Sequence, residues 1–295
     1  MSLLRLMAWF SMRLGRRMSR LVLYSVAAYF FLFAPTPRRH ARDYLRRVLG
    51  RAPTAKDRFR HILSFASTIH DRIFLLNGRF DLFDISIDGE EVMQAARLCG
   101  KGALLMGAHL GSFEVTHALG RRQPGLDVAM AMYAANARKI NAVLSAINPR
   151  FKADIVELGN ISAMLEIHAR LDAGSFVGIL ADRTLGNEPT EQAKFLGAPA
   201  SFPIGPMRIA AMLRRPVYFM AGLYLGGNRY HIIFEKIADF SGATTNDRKA
   251  AVSAAIQEYA AAVERCCRAY PYNWFNFFDF WQPDPAAVRI PTGSE

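Results

Sequence analysis

His109 and Glu114 lie four residues apart in the stretch His109-Leu110-Gly111-Ser112-Phe113-Glu114, and together they could do acid–base chemistry. An imidazole takes a proton from a hydroxyl near neutral pH. A carboxylate beside it can fix its tautomer and stabilise the imidazolium that forms. Taken alone, the pair is equally a helix-start histidine with an unrelated surface glutamate. A second polar cluster, Ala181-Asp182-Arg183-Thr184-Leu185-Gly186, carries a carboxylate able to hold a hydroxyl or anchor a loop. Its guanidinium is suited to a phosphate or phosphopantetheine.

Both clusters follow short apolar runs that read as buried strands, 103–106 before the first and 176–180 before the second. Gly107 lets the backbone break, and Ser112 can cap a helix over 113–119. Chemistry is thus expected at strand ends along one edge of a sheet. Further strands are expected at 82–87, 127–132, 154–158, 217–223 and 230–235. Helices are expected at 61–80, 90–99, 137–147, 162–171, 206–213 and 247–269. In the 61–80 helix, Ile62, Phe65, Ile69, Ile73 and Leu76 have helical spacing and form its expected core face. The alternation predicts an α/β fold, one domain with a mixed, largely parallel sheet flanked by helices. Residues 195–206 are small, apolar and turn-rich and read as a connector. The Gly205-Pro206 helix start there exposes backbone N–H groups able to hold an anion, with Arg208 one turn on.

The net charge of +12 has a location. Residues 1–60 carry 14 Lys and Arg against two Asp, while the remainder carries 23 of each sign. A basic, apolar terminus on a neutral body points to an anionic membrane surface, not to nucleic acid. Residues 21–34 hold no charge but fall short of the roughly 20 apolar residues a spanning helix needs. A short anchor or an interfacial helix over residues 1–36 is expected, attached to a domain over 37–295. A core helix is the alternative. The positive flanks predict a cytoplasmic body. Three cysteines, two of them adjacent, suit a reduced compartment. There is no G-x-S-x-G elbow, P-loop or G-x-G-x-x-G. The spacing His109, Glu114, His117 does not suit a metal site, and no metal is expected.

These stretches, in this order, resemble the bacterial late acyltransferases of lipid A biosynthesis, the lauroyl/myristoyl family within the lysophospholipid acyltransferase-like superfamily. His109 and Glu114 match that family's H-x4-D/E motif, residues 133–136 its second block, residues 181–186 its D-Q-x-x-G block and residues 195–208 its Phe-Gly-Pro-rich block. The resemblance covers most of the chain. It implies transfer of a fatty acyl group from acyl carrier protein or acyl-CoA to a hydroxyl of a lipid acceptor, with no cofactor beyond that thioester. His109 would be the base and Glu114 its partner. Tyr133, Arg138, Asp182, Arg183, Gly205 and Arg208 would bind substrate, with Arg183 and N–H groups near Gly205 facing the oxyanion. The basic segment 38–60 would suit an acidic carrier protein, and the cytoplasmic face of a bacterial inner membrane would be the location. Two departures stand out. Ala134 replaces an expected Arg, with Arg138 and Lys139 the candidate substitutes. The usual W-x-H-R-R-W block here becomes the aromatic run 271–281, in which Trp274, Phe277 and Trp281 have helical spacing and are most simply core packing. The loss of two cations implies a less anionic acceptor, such as an aryl polyene or other specialised lipid. A lipid-binding homologue without turnover, or a hydrolase on the same site, are the alternatives.

Overall fold

Parallel strands need long crossovers, and this chain supplies them as helices. The computed structural model describes residues 2–116, 128–150, 154–184, 188–242 and 247–281. Helices α1 (Ser2–Phe33), α2 (Pro35–Leu49) and α3 (Ala55–Leu76) precede the sheet. Then come β1 (Asp84–Asp88), α4 (Glu90–Leu98), β2 (Ala103–Gly107) and α5, described over 113–116. They are followed by β3 (Val128–Tyr133), α6 (Ala134–Ile147), β4 (Ile155–Leu158), α7 (Ile161–Asp172) and β5 (Phe176–Leu180). The chain continues through β6 (Thr190–Phe195), β7 (Ala198–Pro203), α8 (Gly205–Met212), β8 (Pro216–Gly226), β9 (Arg229–Asp239) and α9 (Arg248–Ala269).

Among the described residues the main sheet has seven strands in the order β1-β9-β8-β2-β5-β3-β4, and only β8 and β9 pair antiparallel. This is the expected mixed, largely parallel α/β sheet. Every residue of central β2 is buried, as a strand covered on both faces requires. The β2–β5 register sets Gly107 opposite Leu180, and Ala181 N–H extends the ladder to the Gly107 carbonyl at 3.0 Å. One step further, the same register sets His109 opposite Asp182.

Residues 190–203 are not a connector. They form an antiparallel hairpin, β6–β7, turned at Leu196 and Gly197, which both have positive φ. Pro199 and Pro203 are tolerated because this two-stranded sheet offers its outer edges no ladder to break.

The long helix α3 also departs from expectation. Ile62, Ile73 and Leu76 are buried, but Phe65 and Ile69 are exposed. The covered face instead carries His61, Ser64, Ser67, Thr68, His70 and Asp71, because α1 and the C-terminal strip bring polar partners to it. Helix α1 bends at Gly15 (φ 76°). Its inner face packs on α3 and α6 through Ala8, Leu23 and Ala27. Its outer face exposes Trp9, Phe10, Leu21, Tyr29, Phe30 and Phe33. No single helix among the described residues is long and apolar enough to cross a membrane, though residues 5–33 and 38–49, bent by 99°, pass together on length and composition.

Candidate active site

His109 leaves β2 into a segment fixed on both sides. Its carbonyl accepts from Phe275 N–H at 2.8 Å, and Gly111 N–H donates to the Asn273 carbonyl at 2.9 Å. Ser112 N–H donates to the Gly222 carbonyl of β8 at 2.7 Å. Gly111 is required here: φ is +60°, and a Cβ would meet the Gly222 carbonyl oxygen at 2.0 Å. The backbone of the histidine is therefore clamped between β8 and residues 273–275 before its side chain does anything.

The carboxylate that meets the imidazole is Asp182. Its Oδ1 lies 2.8 Å from His109 Nδ1, and its Oδ2 accepts from His109 backbone N–H at 3.0 Å. Trp274 Nε1–H donates to the same Oδ2 at 3.0 Å. Asp182 is fully buried, while His109 retains 32% side-chain exposure. Burial by itself would raise the Asp182 carboxyl. The facing His109, with its hydrogen bonds, and the neighbouring Arg183 outweigh it and hold the group at about 2. An ionised Asp182 only accepts, so Nδ1 carries the proton and Nε2 is left with a free lone pair. That is the arrangement of a general base with an orienting carboxylate.

Glu114 does not hold the ring, contrary to the pairing read from its spacing. It sits in the first turn of α5, where its Oε1 is 2.6 Å from Arg72 Nε of α3. Its Oε2 accepts from Ser112 Oγ at 3.1 Å. The turn between His109 and α5 directs the glutamate toward α3, whereas the parallel ladder carries Asp182 directly to Nδ1.

The other expected residues divide. Arg183 is at the site: its Nη2 donates to the Phe275 carbonyl at 2.8 Å, and its guanidinium lies 4.9 Å from the Phe278 ring centre. Burial lowers its pKa and Asp182 partly offsets that. Tyr133 ends β3, with its phenol raised by burial and by a hydrogen bond to Glu188. Arg138 is exposed on α6, and Gly205 and Arg208 are exposed at the start of α8. None of these three is hydrogen-bonded or ion-paired to His109 or Asp182. His117 and Gly186 lie outside the described residues.

Sequence reasoning missed Trp274. Residues 271–281 are irregular rather than helical, and Trp274 is fully buried with its indole on Asp182 and its carbonyl 2.8 Å from His61 Nε2. The one available signal was a buried-type aromatic with a single N–H that needs an acceptor.

An α/β sheet with a buried carboxylate behind a half-exposed imidazole, at the carboxyl ends of adjacent parallel strands, is an arrangement suited to general-base chemistry. Residues 2–282 match the family model of bacterial lipid A biosynthesis acyltransferases. The chain belongs to that family, and with it to the membrane-associated acyltransferases. No curated protein matched the chain.

Proposed function

We propose that this chain transfers a fatty acyl group from a carrier thioester to a hydroxyl of a lipid acceptor, with His109 as the base. The observation that carries the reading is the Asp182–His109 pair, with Nδ1 bound and Nε2 free, inside an acyltransferase family. His109 Nε2 takes the acceptor hydroxyl proton as the alkoxide attacks the thioester carbonyl. The tetrahedral intermediate collapses, the C–S bond breaks, and Nε2 returns the proton to the departing thiolate. Ester and free thiol result. Asp182 stabilises the imidazolium formed between these steps. Arg183 supplies positive charge toward the oxyanion.

The donor in this proposal is acyl carrier protein, an acidic partner for the basic segment that includes α2 and its exposed Arg39, Arg42 and Arg46. Acyl-CoA is the alternative donor. The exposed apolar face of α1 would lie on an anionic membrane, with the body at the cytoplasmic face of the inner membrane. Substrate contacts through Tyr133, Arg138, Gly205 and Arg208 belong to the same proposal, and Glu114 steadies α5 and Arg72. The acceptor is proposed to be less anionic than lipid A, such as an aryl polyene. Support comes from residues 275–278, which bring phenylalanine rings and a carbonyl to Arg183 where the family commonly has cations.

The test is transfer from labelled acyl carrier protein into total membrane lipid, comparing wild type with His109→Ala. A labelled lipid formed only by wild type supports the reading, and its mass names the acceptor. Equal labelling by both proteins removes His109 as the base. Free fatty acid without acylated lipid would make the enzyme a hydrolase. Silence from wild type with both donors would favour a lipid-binding role. Parallel assays with lipid A precursor and an uncharged lipid alcohol test the acceptor proposal, which fails if only the former is acylated.

A further inference from the structure

A cavity of about 450 Å³ lies at the end of β8, between α1, α3 and residues 269–273. Its lining includes Arg20, Arg60, Ser67, Tyr224, Tyr272 and Asn273. It is separate from the reacting centre, because Asn273 forms its wall and the next residue, Trp274, already faces Asp182. The wall is rigid: Asn273 Oδ1 accepts from Tyr224 N–H at 2.7 Å and its Nδ2–H donates to the Tyr224 carbonyl at 3.0 Å.

The charges lining the cavity differ from those beside it. Nearby Arg16, Arg51 and Arg72 are each ion-paired, to Asp71, Asp57 and Glu114. Among the described residues, Arg20 and Arg60 meet neutral groups. Arg20 donates to the Gly227 carbonyl and the Tyr224 hydroxyl, and Arg60 lies 4.5 Å from the Tyr272 ring centre. Among the described residues that line the cavity none is acidic; nearby Asp57 accepts from Tyr272 O–H at 2.7 Å and is paired with Arg51. Ser67 adds a hydroxyl that is 1% exposed and has no hydrogen-bond partner. A buried hydroxyl without a partner is costly, by about 1–3 kcal/mol in general, unless something enters to meet it. Two cations free of carboxylates and a spare hydroxyl in one cavity suit a phosphate group. Arg20 also stands at the start of the charge-free segment 21–34, whose outer face is apolar and exposed, so the cavity opens at head-group level if α1 lies on a membrane.

We propose that this cavity seats the phosphate of a phospholipid head group, as a binding site distinct from the acceptor site. The inference rests on the membrane-facing reading of α1 and not on turnover. It is tested by native mass spectrometry of the full chain released from a nonionic detergent, with dioleoylphosphatidylglycerol or dioleoylglycerol added. Wild type and His109→Ala are expected to retain one phosphatidylglycerol and no dioleoylglycerol. Arg60→Gln removes a charge-assisted contact and is expected to weaken retention about tenfold or more. Ser67→Met, which removes the hydroxyl and adds apolar bulk to the cavity wall, is expected to weaken it similarly. Equal retention by wild type and both variants would overturn the proposal, as would equal retention of the uncharged lipid. Displacement by millimolar inorganic phosphate would assign the seat to a free phosphate and overturn the lipid source. Because His109→Ala is expected to bind normally, failure of acyl transfer and failure of this seat are separate results.

Discussion

His109 and His70 both stand beside aspartates, and the two pairs are built differently. His109 meets Asp182 across two parallel strands, is 32% exposed, and keeps Nε2 free. His70 is the chain neighbour of Asp71, is 6% exposed, and has its Nε2 bonded to Ser19 Oγ at 2.8 Å. Asp71 spends its oxygens elsewhere. Arg16 of α1 binds it through two nitrogens at 2.8 and 2.7 Å, and Tyr230 O–H donates to it at 2.9 Å. The same residue types therefore leave an exposed ring nitrogen free in one place and clamp α1 in the other. What separates them is whether one ring nitrogen remains free at an accessible edge.

The comparison is broken most directly by substituting the two aspartates. Asp182→Asn keeps the shape but loses the charge that fixes the tautomer. We expect kcat to fall about 10³–10⁴-fold with KM little changed, as when a base loses its orienting carboxylate in comparable triads. A similar loss in KM alone would make Asp182 a binding residue. Asp71→Ala should act on stability instead. It leaves the Arg16 guanidinium, 9% exposed, without its partner, and breaking a buried pair from one side costs about 3–5 kcal/mol. Denaturant unfolding should show that loss, with turnover per folded molecule close to wild type. The double variant Arg16→Met with Asp71→Leu should recover much of it. If Asp71→Ala abolishes turnover at full stability, the division of labour argued here is wrong.

How far the sequence alone reaches is visible in these residues. Both polar clusters were legible as strand-end motifs, and the parallel α/β sheet followed from the alternation of runs. The partner of His109 was not legible. β2 pairs with β5, a strand far along the chain, so Asp182 arrives by register, while the local H-x4-E spacing draws attention to Glu114. At residues 274, 277 and 281 a helical interval occurs in an irregular strip, yet the packing reading drawn from it holds for Trp274, which is fully buried in the main core with Trp281 packed against it. On α3 the apolar interval correctly gave a helix. It placed Ile62, Ile73 and Leu76 in the core rightly but missed the buried polar residues beside them and buried Phe65 and Ile69 wrongly, because α1 and the strip cover the polar side and no local pattern encodes what a neighbour brings.

A third histidine on α3 sharpens the contrast through pH. His61 is fully buried, with Nε2 at the Trp274 carbonyl, and burial lowers it to about 4 despite that bond. In the unfolded chain it takes a proton below about 6.5. As pH falls, the unfolded state binds this proton first, so the fold loses stability between about 6.5 and 4 and loses no more from this group below. At pH 5 the loss is about 2 kcal/mol, on a scale of about 1.4 kcal/mol per pH unit. Denaturant midpoints at pH 7 and pH 5 should therefore differ less in His61→Gln than in wild type. An identical pH slope in both would mean that His61 titrates normally, and that the strip carrying Trp274 is open to water.

The smallest expected effect tests the carboxylate that the sequence favoured. Glu114 binds Arg72 and Ser112, so its charge reaches His109 only through the position of α5. Glu114→Gln keeps the Ser112 contact and weakens the pair with Arg72, whose partners are 18% and 13% exposed. Loss of a charge-assisted contact of this kind is worth about 1.5 kcal/mol, or roughly tenfold in rate if all of it appears in the transition state. Steady-state kinetics of Glu114→Gln beside Asp182→Asn would place the two carboxylates in order, and the geometry requires Asp182 to be the larger by about a hundredfold or more. The reverse order would mean that the glutamate swings onto the imidazole when substrate binds, leaving Arg72 behind. In that case Arg72→Ala, which frees the glutamate, should raise turnover instead of lowering it.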